Sequence, residues 1–143
     1  MMIREPIYAA LWNLAQSSAG FLTKSRRAQY LDDVPQGMFP ALFMIQKSES
    51  PQNVPGLPPV WVFTVEFYIY AHTQGDKNVM PSTILNGLVD AVSNSIAPDA
   101  VTGKQTLGGL VQHAWIDGGI DIYEGVLGDQ AVAVIPVTIK VNS

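Results

Sequence analysis

The stretch Val60–Tyr70, VWVFTVEFYIY, decides the fold. Trp61, Phe63, Val65, Phe67 and Ile69 occupy every second position and are all large and apolar, whereas Val60, Val62, Thr64, Glu66, Tyr68 and Tyr70 are mixed. A period of two sends alternate side chains to opposite faces of a strand, so one face belongs in a core and the other is semi-polar. Upstream, Ala41–Lys47 (ALFMIQK) is apolar and β-compatible. The intervening SESPQNVPGLPP holds four prolines and a glycine. Proline cannot donate to a central ladder, so this segment reads as a loop closing a long hairpin with a proline-rich tip at Ser50 to Pro59.

Working outward, Ala131, Ala133, Ile135, Val137, Ile139 and Val141 form a second strictly alternating strand. Pro136 inside it favours a sheet edge or a bulge. Ala114, Ile116, Ile120 and Ile122 alternate with Trp115, Asp117, Asp121 and Tyr123 around Gly118-Gly119, predicting β structure broken by a bend. EGVLGD, from Glu124, reads as a turn. Two helices are expected. Ile7, Leu11 and Leu14 recur at helical spacing within Ile3 to Ser18, with Pro6 in the first turn and Gly20 as a stop. Ile84, Leu88, Val92 and Ile96 recur every fourth residue from Pro81 to Ile96, with Leu85 and Val89 beside them. Phe21 to Tyr30 (FLTKSRRAQY) fits either a basic strand or an extended arm, and DDVPQG after it is a turn. Adjacent strands interrupted by helices imply an α+β fold: a largely antiparallel sheet, two helices packed on one face and a long proline-tipped hairpin, in a single domain over 1–143. Strand–helix alternation of the doubly wound nucleotide-binding kind is missing.

Composition narrows the chemistry. A chain of 143 residues can bury about two-thirds of its unfolded surface, enough for a core without staples. It has no cysteine, which removes disulfides, thiolate zinc sites and cysteine nucleophiles, and only two histidines, His72 and His113. Charged residues make up 14%, against roughly 25% in typical soluble domains, a hint of surface hidden against further copies. No targeting or membrane segment is read: the N-terminus lacks an uninterrupted apolar run, and the apolar stretch near Val60 is far shorter than the ~20 residues a span needs.

Asp117, Asp121, Glu124 and Asp129 form the one acidic segment. Asp117 and Asp121 share a strand face and could bracket a cation, the basis of an alternative reading as a small metal-dependent enzyme. The plainer reading is a solvated outer face, since DGGIDIYEGVLGD does not follow a calcium-loop pattern. TGKQTLGG lacks the spacing of a phosphate loop and reads as a flexible loop. Lys24, Arg26 and Arg27 could meet phosphate, but a net charge of −4 argues against a nucleic-acid module and for a solvated face or a contact with a neighbouring subunit. No catalytic constellation and no cofactor site is read.

One resemblance covers nearly the whole chain. FLTKSRR followed by DDVP, PALFMIQK, GLPPVW and FYIY, and later PSTILNGLVDAV, QTLGGLV, HAWI and EGVLGDQAVAVIPV, resemble the tail terminator (tail completion) proteins of long-tailed bacteriophages. That resemblance implies a small α+β protein forming a homo-oligomeric ring, typically a hexamer, at the head-proximal end of the tail. The ring would cap the finished tail tube, offer a surface to the head completion or connector protein, and let DNA pass through its lumen unread. It implies no enzyme activity and no cofactor. Other head–tail joining and tail tube proteins share such folds and remain the alternative. Ring closure needs two different complementary patches on each subunit. The most segregated opposite charges are Arg26 and Arg27 on one side and Asp117, Asp121 and Glu124 on the other, so these residues are the expected subunit contact.

Overall fold

A computed structural model describes residues 2–124 and 128–142. Helix α1 (Arg4–Gln16) leads through a short strand β1 (Thr23–Ser25) and two 3-10 turns to the hairpin of β2 (Ala41–Gln52) and β3 (Val60–His72). Helix α2 (Pro81–Ser95), short strands β4 (His113–Ile116) and β5 (Asp121–Glu124), and the long β6 (Gln130–Asn142) complete the order. The six strands form one sheet, β1-β2-β3-β6-β4, with β5 also paired to β6. All pairings are antiparallel except β1 with β2. This is the α+β architecture expected from the strand pattern.

The period of two in β3 controls packing. Phe63, Val65, Phe67 and Ile69 are fully buried, as are Ala133, Ile135, Val137 and Ile139 of β6. Both helices lie against this face and share its core: α1 contributes Ile7, Tyr8, Leu11 and Ala15, and α2 contributes Leu85, Leu88 and Val92. In neither helix does the N-cap residue, Ile3 or Met80, supply a side-chain cap, and each helix carries a proline in its first turn. Gly20 turns the chain after α1 with φ +99, and a Cβ there would sit 3.4 Å from Leu88 Cδ2, so glycine meets both a conformational and a packing demand.

Several expectations need correction. The segment after Lys47 is not all loop: β2 continues to Gln52, with Pro51 opposite Trp61. Proline is tolerated there because β1 covers only Ala41 to Phe43, leaving this part of β2 a free edge. A register shift between Gln46 and Ser48 marks a bulge at Lys47. It exchanges the faces of β2, so Leu42 and Met44 join the core before it and Glu49 turns toward α1 after it. Pro136 sits on a central strand, not an edge. Its carbonyl accepts the Asp117 N–H at 3.0 Å, so its missing N–H faces the same side, where Gly118-Gly119 separates β4 from β5 and needs no donor. Ile122, opposite Ala133 on the helix side, is half-exposed, 51%. Of the expected turn EGVLGD, residues 125–127 lie outside the described residues.

The other sheet face carries no helix. One corner holds a second small core: Phe39 and Val34, from the strap between β1 and β2, pack on Ala41, Phe43 and Tyr70. The strap therefore buries Tyr70, a position that alternation alone assigns to the semi-polar face. Beyond it Val62, Thr64, Glu66, Tyr68, Val132 and Val134 stay partly exposed.

Candidate subunit interface

The basic run divides its work once folded. Lys24 Nζ donates to the Gln16 carbonyl at 2.8 Å, placing a cation on an orphan carbonyl at the C-terminal end of α1. Arg26 reaches the opposite end of the same helix, donating to both Glu5 carboxylate oxygens at 2.6 and 3.0 Å and to Gln46 Oε1 at 3.0 Å. The hydrogen bond from Arg26 holds the Glu5 carboxyl below its usual range. Two residues of the cluster thus clamp α1 along its length, and Arg27 is exposed, with no side-chain hydrogen bond or ion pair among the described residues.

The acidic segment is split by the sheet. Directly opposed residues of an antiparallel pair project to the same face. Asp121 opposes Val134 and so lies on the helix-free face, as does Asp117, whose Oδ2 accepts the Thr138 hydroxyl at 2.9 Å. Glu124 opposes Ala131 on the helix side, and its Oε2 accepts the Ser82 N–H at 2.7 Å, capping an orphan donor in the first turn of α2. Arg26 and Arg27 stand at the β1–β2 edge, while Asp117, Asp121 and Glu124 stand at the β4–β5 edge, separated from β2 by the two strands β3 and β6. Within one chain the two groups are not brought together. Opposite charges on opposite edges suit a head-to-tail contact between copies.

Two further features were not legible as sites. Arg4 Nε and the Tyr8 hydroxyl both donate to the Glu49 carboxylate, at 2.5 and 2.7 Å, tying α1 to the outer arm of the hairpin. Burial and the bond to Glu49 push the Tyr8 phenol up; burial pushes the Glu49 carboxyl up too, but the bonds from Arg4 and Tyr8 outweigh it and hold the group low. On the helix-free face, a cleft of about 320 Å³ opens between the strap and the sheet, lined by Ala28, Gln29, Tyr30, Ile45, Tyr68 and Tyr70. These tyrosines are scattered in sequence, and no spacing rule unites them.

The two histidines and the loop around Lys104 are tied into the fold by backbone hydrogen bonds. His72 Nδ1 accepts the Gln74 N–H and His113 Nδ1 accepts the Gln105 N–H, at 2.8 and 3.1 Å, so both imidazoles pin strand ends. In the TGKQ region the Asp99 carboxylate accepts the N–H groups of Val101 and Thr102, which lowers its pKa and occupies donors that a phosphate would require. Among the described residues no group of three His, Cys, Asp or Glu could hold a metal ion. No described helix is long and apolar enough to cross a membrane.

No protein-family model matches the sequence, and no curated protein does. Solved structures do. A chain of the "Virion of native gene transfer agent (GTA) particle" superposes with a TM-score of 0.57 over 94% of this chain and 93% of its own, at 11% identity. The two chains share a fold. The likeness spans nearly the whole of both chains.

Proposed function

We propose that this chain is a structural virion protein of a phage-like particle, assembling into a homo-oligomeric ring, typically a hexamer, that caps the completed tail tube and presents the head-attachment surface. The observation that carries this reading is the whole-chain likeness to a component of the gene transfer agent virion. The tail-terminator resemblance of the sequence points the same way. A sheet with one helix-free face and edges of opposite charge supplies the two unlike patches that a closed ring requires. The proposed charge contact narrows to Arg27 against Asp121, because Arg26 is engaged by Glu5, Glu124 by α2 and Asp117 by Thr138. The role is structural, with no cofactor, and DNA passes through the lumen unread, since eight Lys and Arg against twelve Asp and Glu give phosphate no net attraction.

Native mass measurement with negative-stain imaging tests the reading. Closed rings of one size support it, and stacked tubes of indefinite length would favour a tail tube subunit instead. Particles lacking the protein should accumulate full-length tails without heads; normal head joining in its absence would refute the capping role.

A further inference from the structure

The hairpin tip and the tyrosine cleft lie at opposite ends of the β2–β3 pair. Residues 53–59 at the tip are all exposed, including Val54 at 56% and Leu57 at 64%. The Leu57 N–H donates to the Val54 carbonyl at 3.0 Å, and Gly56 has φ +83. Proline at the second position and a positive-φ glycine at the third make this a type II turn, which presents Val54 and Leu57 as a preformed pair. The segment from Ser50 to Val60 carries no charge. A rigid, neutral, proline-rich projection has little ordering entropy to lose when it docks.

The cleft has matching chemistry. Its lining also holds no charged residue, and its floor and wall are Ile45, Tyr68 and Tyr70, with Tyr30 standing 81% exposed at the rim. The Tyr70 hydroxyl donates to the Gln29 carbonyl at 2.9 Å and fixes the strap that forms the far wall. Aromatic-lined grooves take proline-rich segments because ring faces pack on pyrrolidine rings. A chain cannot fill its own cleft. Val60 and Tyr68 are eight residues apart on one continuous strand, about 27 Å at strand rise, and β2 holds that strand in register up to Gln52 opposite Val60.

We infer that the tip of one copy, Val54 to Pro58, seats in the Tyr30–Tyr68–Tyr70 cleft of the next. The contact is heterologous, tip to cleft, leaving each copy with one of each free for the next neighbour. A tip of this size offers less than the ~800 Å² per partner of a stable pairwise interface, so a single contact is weak and repetition around a closed assembly makes it persist. This inference specifies a surface for the ring proposed above and rests on self-assembly, not on capping.

The chain has no native cysteine, which makes trans crosslinking clean. Leu57→Cys and Tyr30→Cys proteins are purified separately, mixed at high concentration, oxidised and resolved without reductant, with Asp90→Cys on the exposed face of α2 as the control partner. The expected result is a Leu57→Cys/Tyr30→Cys heterodimer several-fold above the Leu57→Cys/Asp90→Cys background, abolished when Tyr68→Lys fills the cleft with charge. Crosslinking no better than control overturns the inference, and if closed rings are still imaged, the ring reading survives without it. Efficient crosslinking in open chains that never close keeps the tip-in-cleft contact and removes the ring.

Discussion

Phe63→Ala should be the most damaging truncation in the sheet. Phe63 is fully buried on β3 between Glu49 of β2 and Ile139 of β6, and its ring stacks on Tyr8 with centroids 5.3 Å apart and planes 14° from parallel. Phe→Ala in a core costs about 3–5 kcal/mol through lost burial and a residual cavity. The stack is worth about 0.5–1.5 kcal/mol of that loss. Relief by collapse is limited here, because the Tyr8 hydroxyl is anchored on Glu49 at 2.7 Å and the ring cannot tip into the hole. A cost of about 4 kcal/mol corresponds to a melting shift of roughly 10–15 °C in a chain of this size. Val62→Ala, one residue away on the half-exposed helix-free face, should cost under about 1 kcal/mol. Calorimetric melts and urea midpoints of both variants measure the contrast. If Phe63→Ala melts within a degree or two of the parent, or Val62→Ala costs more, the assignment of faces is wrong.

Acidification should weaken the fold. Arg26 depresses Glu5, and Arg4 with Tyr8 depresses Glu49 against the upward push of burial, so below the ordinary carboxylate value of 4.5 the unfolded chain binds more protons; stability is full above that pH and falls beneath it, read as a falling urea midpoint, whereas a rising midpoint would contradict the pairing. Arg27→Glu should weaken assembly in sedimentation while leaving the melting temperature in place, and adding Asp121→Lys should restore part of it; no loss in the first, or no recovery in the second, removes this contact. Glu124→Ala should loosen the start of α2 by about 1 kcal/mol, visible as faster amide exchange in its first turn. Duplex DNA at physiological salt should show no binding by fluorescence anisotropy; a micromolar affinity with a steep salt slope would restore the basic arm as a nucleic-acid site.

What could be read in advance follows the range of the forces involved. The period of two in β3 and β6 and the helical period in α2 report burial against whatever lies nearby, so strands, helices and core faces were legible from single residues such as Phe63 and Leu88. The extension of β2 through Pro51 was not, because a free edge tolerates proline and edge status depends on how far β1 reaches. Pro136 misled for the complementary reason: the gap at Gly118-Gly119 lies on its donor-free side, a fact of tertiary pairing. The charged residues were visible as clusters, but their division depended on contacts far apart in sequence. Arg26 was taken by Glu5, and Glu124 by the backbone of α2. The tyrosine cleft left no sequence signal, since Tyr30 meets Tyr68 and Tyr70 only through the strap.

The pairing of β3 with β6 sets the order in which the fold must assemble. The β2–β3 hairpin closes over a short loop, but β3 must wait for β6 across the whole segment from Thr73 to Asp129, a closure costing about 3–4 kcal/mol before any contact rewards it. In that interval β3 presents a thirteen-residue strand whose backbone edge on the β6 side is unpaired. A ribosome stalled before Gln130, or a chain cut there, would leave this uncapped strand as a template for other chains. The last thirteen-residue strand is therefore the molecule's own chaperone: its arrival converts the most aggregation-prone stretch into the middle of the sheet.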